Sequence, residues 1–239
     1  MRGIAYGVGV GPGDPELLTL KAARLLEACP VIAAVGRAPG ESAAWRIASA
    51  AVPSIAGKRL LMLEMPMSRD AERLREAHLA AARQIEACLD AGDSVACLVL
   101  GDPTLYSSFS YLMPLLAADG YEARLVSGVP SFCAAAARLN MPLAQGDEPL
   151  HILPAAEAGG EALSAPGACV LIKVGGRAPA LKARLRADSR QAWYVENCGM
   201  PGERVLAGAE AIPDDAGYFS IVIAREDQGD RFINNPQPK

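Results

Sequence analysis

The sequence predicts an α/β protein in two parts, a parallel sheet covered by helices followed by a smaller unit built on a mixed sheet. Three observations carry this. Short apolar runs alternate with segments of helical spacing over the first 140 residues, the pattern of a parallel sheet buried on both faces. Three of those runs end in glycine-bearing loops, at 11–14, 101–104 and 128–131. After residue 150, the last apolar runs follow one another without helices between them.

The elements follow in order. Ile4 to Val10 reads as a buried strand, and Leu17 to Ala28 as a helix with Leu17, Leu18, Ala22, Leu25 and Leu26 on one face. Val31 to Val35 is a second strand that ends at Gly36-Arg37, and Leu60 to Leu63 a third. Arg69 to Ala91 carries a long apolar stripe of Leu74, Ala77, Ala81, Ile85, Cys88 and Leu89, with Gly92 as its stop. His78 lies on this helix and reads as a solvated or partly packed histidine. Ser94 to Leu100 is a continuous apolar strand that runs into Gly101-Asp102-Pro103, and a helical stretch follows through Leu116. Tyr121 to Ser127 is a strand, and Gly128-Val129-Pro130-Ser131 leads into the alanine-rich helix 132–139.

These residues define an N-terminal domain over 1–140. A polar, proline-punctuated linker is expected over 141–149. The second domain, 150–225, has strands at 150–153, 169–174, 192–196, 204–207 and 219–224 and a helix at 178–187. A polar tail, 226–239, is expected to be disordered.

Composition narrows the function. The 239 residues are 51% hydrophobic with a net charge of −4, which gives no support for a general nucleic-acid surface. The six cysteines are scattered, none in a C-x-x-C pair, and the two histidines are far apart, so no metal site is expected. The cysteines sit among small apolar residues and read as buried reduced thiols. No apolar run reaches the roughly 18 residues of a membrane span, and no secretory signal opens the chain, so no membrane partner is expected and the reading is cytoplasmic.

The first glycine loop is the most informative stretch. Gly7, Gly9, Gly11 and Gly13 alternate, then Pro12, Asp14 and Pro15 stop the strand. Glycine lets a ligand lie against the backbone, with a plain strand-to-helix turn as the alternative. The spacing is neither G-x-G-x-x-G nor a P-loop, so the usual nucleotide fingerprints lose support. In parallel sheets ligands bind outside the carboxyl ends of strands, and all three glycine loops leave strands at that edge.

The loops in this order resemble the tetrapyrrole methylases, which use S-adenosylmethionine (SAM). The resemblance covers about residues 4–225 and is carried by Gly9-Val-Gly-Pro-Gly-Asp-Pro-Glu-Leu-Leu-Thr19 and Leu100-Gly-Asp-Pro-Thr-Leu-Tyr106. The run from Gly101 to Leu112, with Leu171-Ile-Lys-Val-Gly175 and Tyr194-Val-Glu-Asn-Cys-Gly199, is most similar to the branch that methylates precorrin-2 at C(20). Two departures stand out. Lys173-Val174-Gly175 replaces the common aromatic-Met-Gly triplet, and Ser127-Gly128-Val129-Pro130-Ser131 replaces Pro-Gly-Val-Thr-Ser. Only the backbone position of Val174 is therefore carried over.

The resemblance implies the two-domain tetrapyrrole methylase fold with SAM in an interdomain cleft, S-adenosylhomocysteine as product, and a homodimer. It implies that Pro12, Gly101, Asp102, Pro103, Tyr106, Pro130, Ser131, Phe132, Val174 and Asn197 serve the cofactor. A precorrin acceptor bears eight carboxylates, so an acidic chain must offer local cations. Arg37, Lys173 and Arg177, at strand ends, are the candidates, with Tyr218 beside them. Asp102 is a candidate base or electrostatic partner, with a turn residue hydrogen-bonding its own loop as the alternative. Lys173 is a candidate catalytic or substrate-pairing cation, with solvent snorkelling as the alternative. The competing functions are methylation of cobalt-precorrin-2, methylation of another precorrin, and a non-catalytic nucleotide-binding module.

Overall fold

The computed structural model describes residues 2–68, 70–158, 163, 165–188 and 190–226. They form two compact units, which divide after Pro130.

The first unit holds five parallel strands: β1 (Ala5–Gly9), β2 (Val31–Val35), β3 (Arg59–Leu63), β4 (Val95–Val99) and β5 (Ala123–Val126), in the order β3-β2-β4-β1-β5. Strand side chains alternate between two cores. Ala5, Val31, Ala33, Val95, Cys97 and Val99 face α3 (Ala71–Asp90) and α4 (Phe109–Ala118). Val8, Val10, Ile32, Ala34, Ala96 and Leu98 face α1 (Leu20–Ala28) and α2 (Ala43–Ala51). Gly7 is required by packing, because a Cβ there would lie 2.3 Å from the Phe109 ring. Thr19 caps the start of α1 by accepting from Ala22 N, and Lys58 Nζ donates to the Leu26 and Cys29 carbonyls at its far end.

Helix α2 was not anticipated from the sequence. Its signals are Ser42, whose hydroxyl accepts from Trp45 N at 3.3 Å, and the buried set Ala44, Ile47 and Ala48 at helical spacing. His78, on α3, stacks on Tyr111 with ring centroids 4.8 Å apart.

The second unit has a five-stranded mixed sheet of β6 (Leu150–Pro154), β7 (Ala168–Ile172), β8 (Gln191–Glu196), β9 (Arg204–Ala207) and β10 (Ser220–Arg225), in the order β6-β7-β10-β8-β9. Only β6 and β7 pair in parallel. One face packs on α6 (Ala178–Asp188) through Ala178, Leu181 and Leu185. The other packs on α5 (Ser131–Arg138), where Phe132, Ala135 and Ala136, with Leu139, meet Val170, Val195, Ile221 and Ile223.

This corrects the expected boundary at 140. The apolar face of α5 belongs to the second core, so the chain leaves the first unit directly after the third glycine loop. The stretch read as a linker, 141–149, is tied to the same unit: Met141 and Leu143 pack on that core, and Arg225 donates to the Pro142 carbonyl and to Glu148. The expected tail lies, from residue 227 on, outside the described residues. Among the described residues no helix is long and apolar enough to cross a membrane.

Candidate functional site

Strands β4, β1 and β5 are neighbours, so the loops that follow them meet at one edge. Their glycines make that meeting close. Gly11 and Gly101 exchange backbone hydrogen bonds of 3.3 and 2.8 Å, with φ of +81° and +73°. A Cβ on Gly9 would lie 2.6 Å from both the Gly101 oxygen and the Gly128 nitrogen, and one on Gly128 would lie 2.2 Å from the Gly101 oxygen. All of these obstacles are backbone, which cannot step aside. At Gly9 and Gly128 the missing side chain therefore serves loop-to-loop contact.

Asp102 locks the arrangement. Its Oδ1 accepts from Thr104 N (2.8 Å) and Thr104 Oγ1 (2.5 Å), and its Oδ2 accepts from Gly128 N (2.9 Å). Burial pushes its pKa upward, but the bonds from Thr104 and Gly128 outweigh that, so its carboxyl is held below the ordinary aspartate value. The carboxylate is thus ionised and engaged. A further tie runs from Thr19 Oγ1 to the Ser127 carbonyl at 3.3 Å. Pro12, Gly101 and Pro103 are buried at this edge, Pro130 is half-buried, and Tyr106 is exposed. The Phe132 side chain is taken up by the core of the second unit.

Arg37 follows β2, the strand next to β4 and so beside this cluster. Its backbone nitrogen donates to Glu41 Oε2 at 3.2 Å and its guanidinium lies 3.8 Å from Glu64. It lines a groove of about 560 Å³ with Glu41, Glu64, Arg73 and Glu76.

In the second unit β10 runs antiparallel to β7 and β8, so the chain enters β10 at the end where β7 and β8 finish. That end gathers Lys173, Val174, Arg177, Asn197 and Tyr218. The expected strand 169–174 in fact stops at Ile172, because Lys173 turns to φ +59°. Val174 is buried, while Lys173, Arg177 and Tyr218 are exposed. Asn197, at φ +50°, donates its backbone N–H to the Phe219 carbonyl at 3.0 Å and accepts from Met200 N at 2.8 Å.

Four non-glycine residues have positive φ among the described residues: Tyr106, Asn140, Lys173 and Asn197. Three of these are candidate site residues. Left-handed backbone costs most side-chain-bearing residues about 1–2 kcal/mol and asparagine less, so the strain here lies at Tyr106 and Lys173, and such strain gathers at functional loops.

The sequence reading passed over the group that holds this end together. Glu196 is buried; its Oε1 accepts from Gly217 N at 2.7 Å and its Oε2 from Arg204 Nε at 2.5 Å. The Tyr194 hydroxyl lies close to Glu196 and Ser220 without reaching good hydrogen-bond geometry with either. Burial, then the Glu196 charge, push its pKa up to about 12. An acid closing the apolar run 192–195 was the available signal.

Comparison with known proteins agrees with these loops. The profile of the Tetrapyrrole (Corrin/Porphyrin) Methylases matches residues 5–212. A precorrin-2 C(20)-methyltransferase of Sinorhizobium sp. is 35% identical over 236 residues, covering 92% of this chain and 94% of that protein. The cobalamin biosynthesis protein CobIJ of Mycobacterium bovis is also 35% identical over 93% of this chain, which spans 46% of that longer protein, about half its length. The uroporphyrin-III C-methyltransferase of Thermus thermophilus, solved with S-adenosylhomocysteine, superposes with a TM-score of 0.68 at 24% identity, covering 93% of this chain and 92% of that one. Glycine loops fused at one sheet edge and a profile match over most of the chain lead to one conclusion: this chain belongs to the tetrapyrrole (corrin/porphyrin) methylase family.

Proposed function

We propose that this chain methylates precorrin-2 at C(20), giving precorrin-3A in cobalamin biosynthesis, with SAM as donor and S-adenosylhomocysteine as by-product. The acceptor and the carbon rest on the 35% identity to a precorrin-2 C(20)-methyltransferase over nearly its whole length, and the donor site on the fusion of the three glycine loops through Gly9, Gly101, Gly128 and Asp102. This is a rigid backbone edge where an open sheet presents its ligand site. The strained Tyr106 beside it fits the same use.

SAM, when bound, supplies a methyl group on a positively charged sulfur. The protein's main contribution is then orientation, which can lower a barrier by about 7–11 kcal/mol. In this reading Pro12, Gly101, Pro103, Tyr106 and Pro130, of the first unit, offer backbone and rim contacts to the donor, and the family resemblance assigns Ser131, Val174 and Asn197, of the second, to the same cofactor. Phe132 acts through its backbone, since its side chain lies in the core. Asp102 is an anionic tie that accepts three hydrogen bonds, and its lowered pKa favours an electrostatic and positional role over proton acceptance. Lys173, Arg177 and Tyr218 are the candidate contacts for the carboxylate-rich acceptor in the second unit, and Arg37 is the candidate in the first.

Cobalt-precorrin-2 is the alternative acceptor, because the macrocycle would carry the metal and no protein ligand would be needed. A cytoplasmic homodimer is the proposed working form, tested by sedimentation. Incubation with SAM and precorrin-2, with and without cobalt, followed by product mass and carbon assignment, tests the function. A methyl on another carbon overturns the C(20) reading. SAM binding without transfer to either acceptor supports a non-catalytic module.

A further inference from the structure

We infer that Glu196 is a positioning residue that sets three ligand-facing loops of the second unit, 173–177, 197–203 and 213–219, in one conformation. The inference rests on the reading that Val174 and Asn197 contact SAM.

Glu196 is the last residue of β8, and the chain turns at once into Asn197 with φ +50°. Its carboxylate reaches the loop before β10 and the start of β9 directly, and the loop after β7 only through Gly217. Oε1 accepts from Gly217 N at 2.7 Å, which pins the loop before β10. Oε2 accepts from Arg204 Nε at 2.5 Å, which pins the start of β9 beyond the Asn197 turn. Gly217 in turn abuts the loop after β7, since a Cβ on Gly175 would lie 2.8 Å from the Gly217 oxygen. Ser220 Oγ closes the same turn by donating to that oxygen at 2.6 Å. The fit is tight, because a Cβ on Gly217 would lie 2.3 Å from Glu196 Oε1.

The network has the same logic as Asp102 in the first unit. In each, a buried carboxylate at the end of a sheet accepts the backbone N–H of a distant glycine. Here the charge lies under the loops that bear Lys173, Asn197 and Tyr218. Asn197, the next residue, turns to φ +50°, and Gly217 packs against Gly175, two residues after Lys173 at φ +59°.

The test is Glu196→Gln in the full chain. The amide presents an N–H group to either Arg204 or Gly217, so one of the two charge-assisted bonds is lost. If the binding-competent fraction of the loops falls to about one tenth, the apparent SAM Kd rises about tenfold. With SAM saturating, the loops are restored and kcat stays within about twofold, a KM-against-kcat split.

Two further variants separate positioning from stability. Gly217→Ala pushes on the carboxylate from the other side and is expected to weaken SAM by a similar factor, with no further loss in the double variant. Ile223→Val, in the core of β10, lowers the melting temperature but leaves SAM Kd within about twofold. Titration calorimetry with SAM and thermal unfolding without it are the readouts.

An unchanged SAM Kd in folded Glu196→Gln or Gly217→Ala overturns the inference. So does an Ile223→Val protein that weakens SAM as much at equal loss of melting temperature. Where Glu196→Gln does not fold, Gly217→Ala decides alone. Wild-type protein that binds no SAM overturns the underlying reading, and this inference with it.

Discussion

Replacing Asp102 with alanine removes the tie between the second and third glycine loops. Three hydrogen bonds disappear: two from Thr104 and one from Gly128 N. Bonds to a charged group are worth about 1.5–3 kcal/mol each, so simple addition gives roughly 5–9 kcal/mol. That total is too large, because Thr104 is exposed and water replaces its two. Gly128 N is half-buried against the Gly9 and Gly101 backbone and is left short of a partner. The expected net loss is about 2–3 kcal/mol, or roughly 4–12 °C in melting temperature. The pH dependence follows from the lowered carboxyl pKa. A group depressed in the folded state stabilises above its unfolded value of about 3.9, and that stabilisation is lost as pH falls through the folded value. The gap between wild type and Asp102→Ala is therefore constant from about pH 5 to 8 and closes under acid. Thermal unfolding at a series of pH values measures it. Equal melting temperatures at pH 7, or a gap that widens on acidification, refute the reasoning. The same variant is expected to weaken SAM as well as slow transfer, because the tie and the proposed donor edge are one structure.

Three more expectations follow from particular residues. Gly128→Ala puts a methyl 2.2 Å from a backbone oxygen, so it is expected to cost more than about 3 kcal/mol and to abolish SAM binding; soluble, SAM-binding protein of wild-type stability counts against the loop fusion. Lys173→Gly relieves a left-handed backbone and is expected to leave the melting temperature equal or higher, by up to about 1 kcal/mol of stability, while raising the KM for the tetrapyrrole several-fold with SAM Kd within about twofold; the reverse pattern reassigns Lys173 to the donor. Tyr194, raised to about 12, stabilises fully below the unfolded tyrosine value of about 10 and loses that contribution as pH rises towards 12, so Tyr194→Phe is expected to flatten alkaline unfolding between those limits, measured by circular dichroism.

Local pattern alone located the strands of the first sheet, while their order came from the structure. Strands β1, β2 and β4 are short apolar runs bounded by glycine, and their loops leave one edge whichever helices cover them. The three glycine loops were legible for the same reason, since each lies within a few residues of its strand. Helix α2 escaped because its nine residues carry only Trp45 and Ile47 as large apolar side chains among alanines, too few to make a stripe stand out, and its cap, Ser42, is a single residue. Tertiary structure decided the rest. The apolar face of α5 could pack on either sheet, and only the shape of the second core assigns it to Val170, Val195, Ile221 and Ile223. Lys173 sits in a sequence that reads as strand, yet the Gly217 backbone packed against Gly175 accompanies a turn there to positive φ. Asp102 and Glu196 look like an ordinary turn aspartate and a strand-end glutamate. Their partners, Gly128 and Gly217, lie 26 and 21 residues away, a separation at which periodicity carries no information and only the folded backbone brings an amide to a carboxylate.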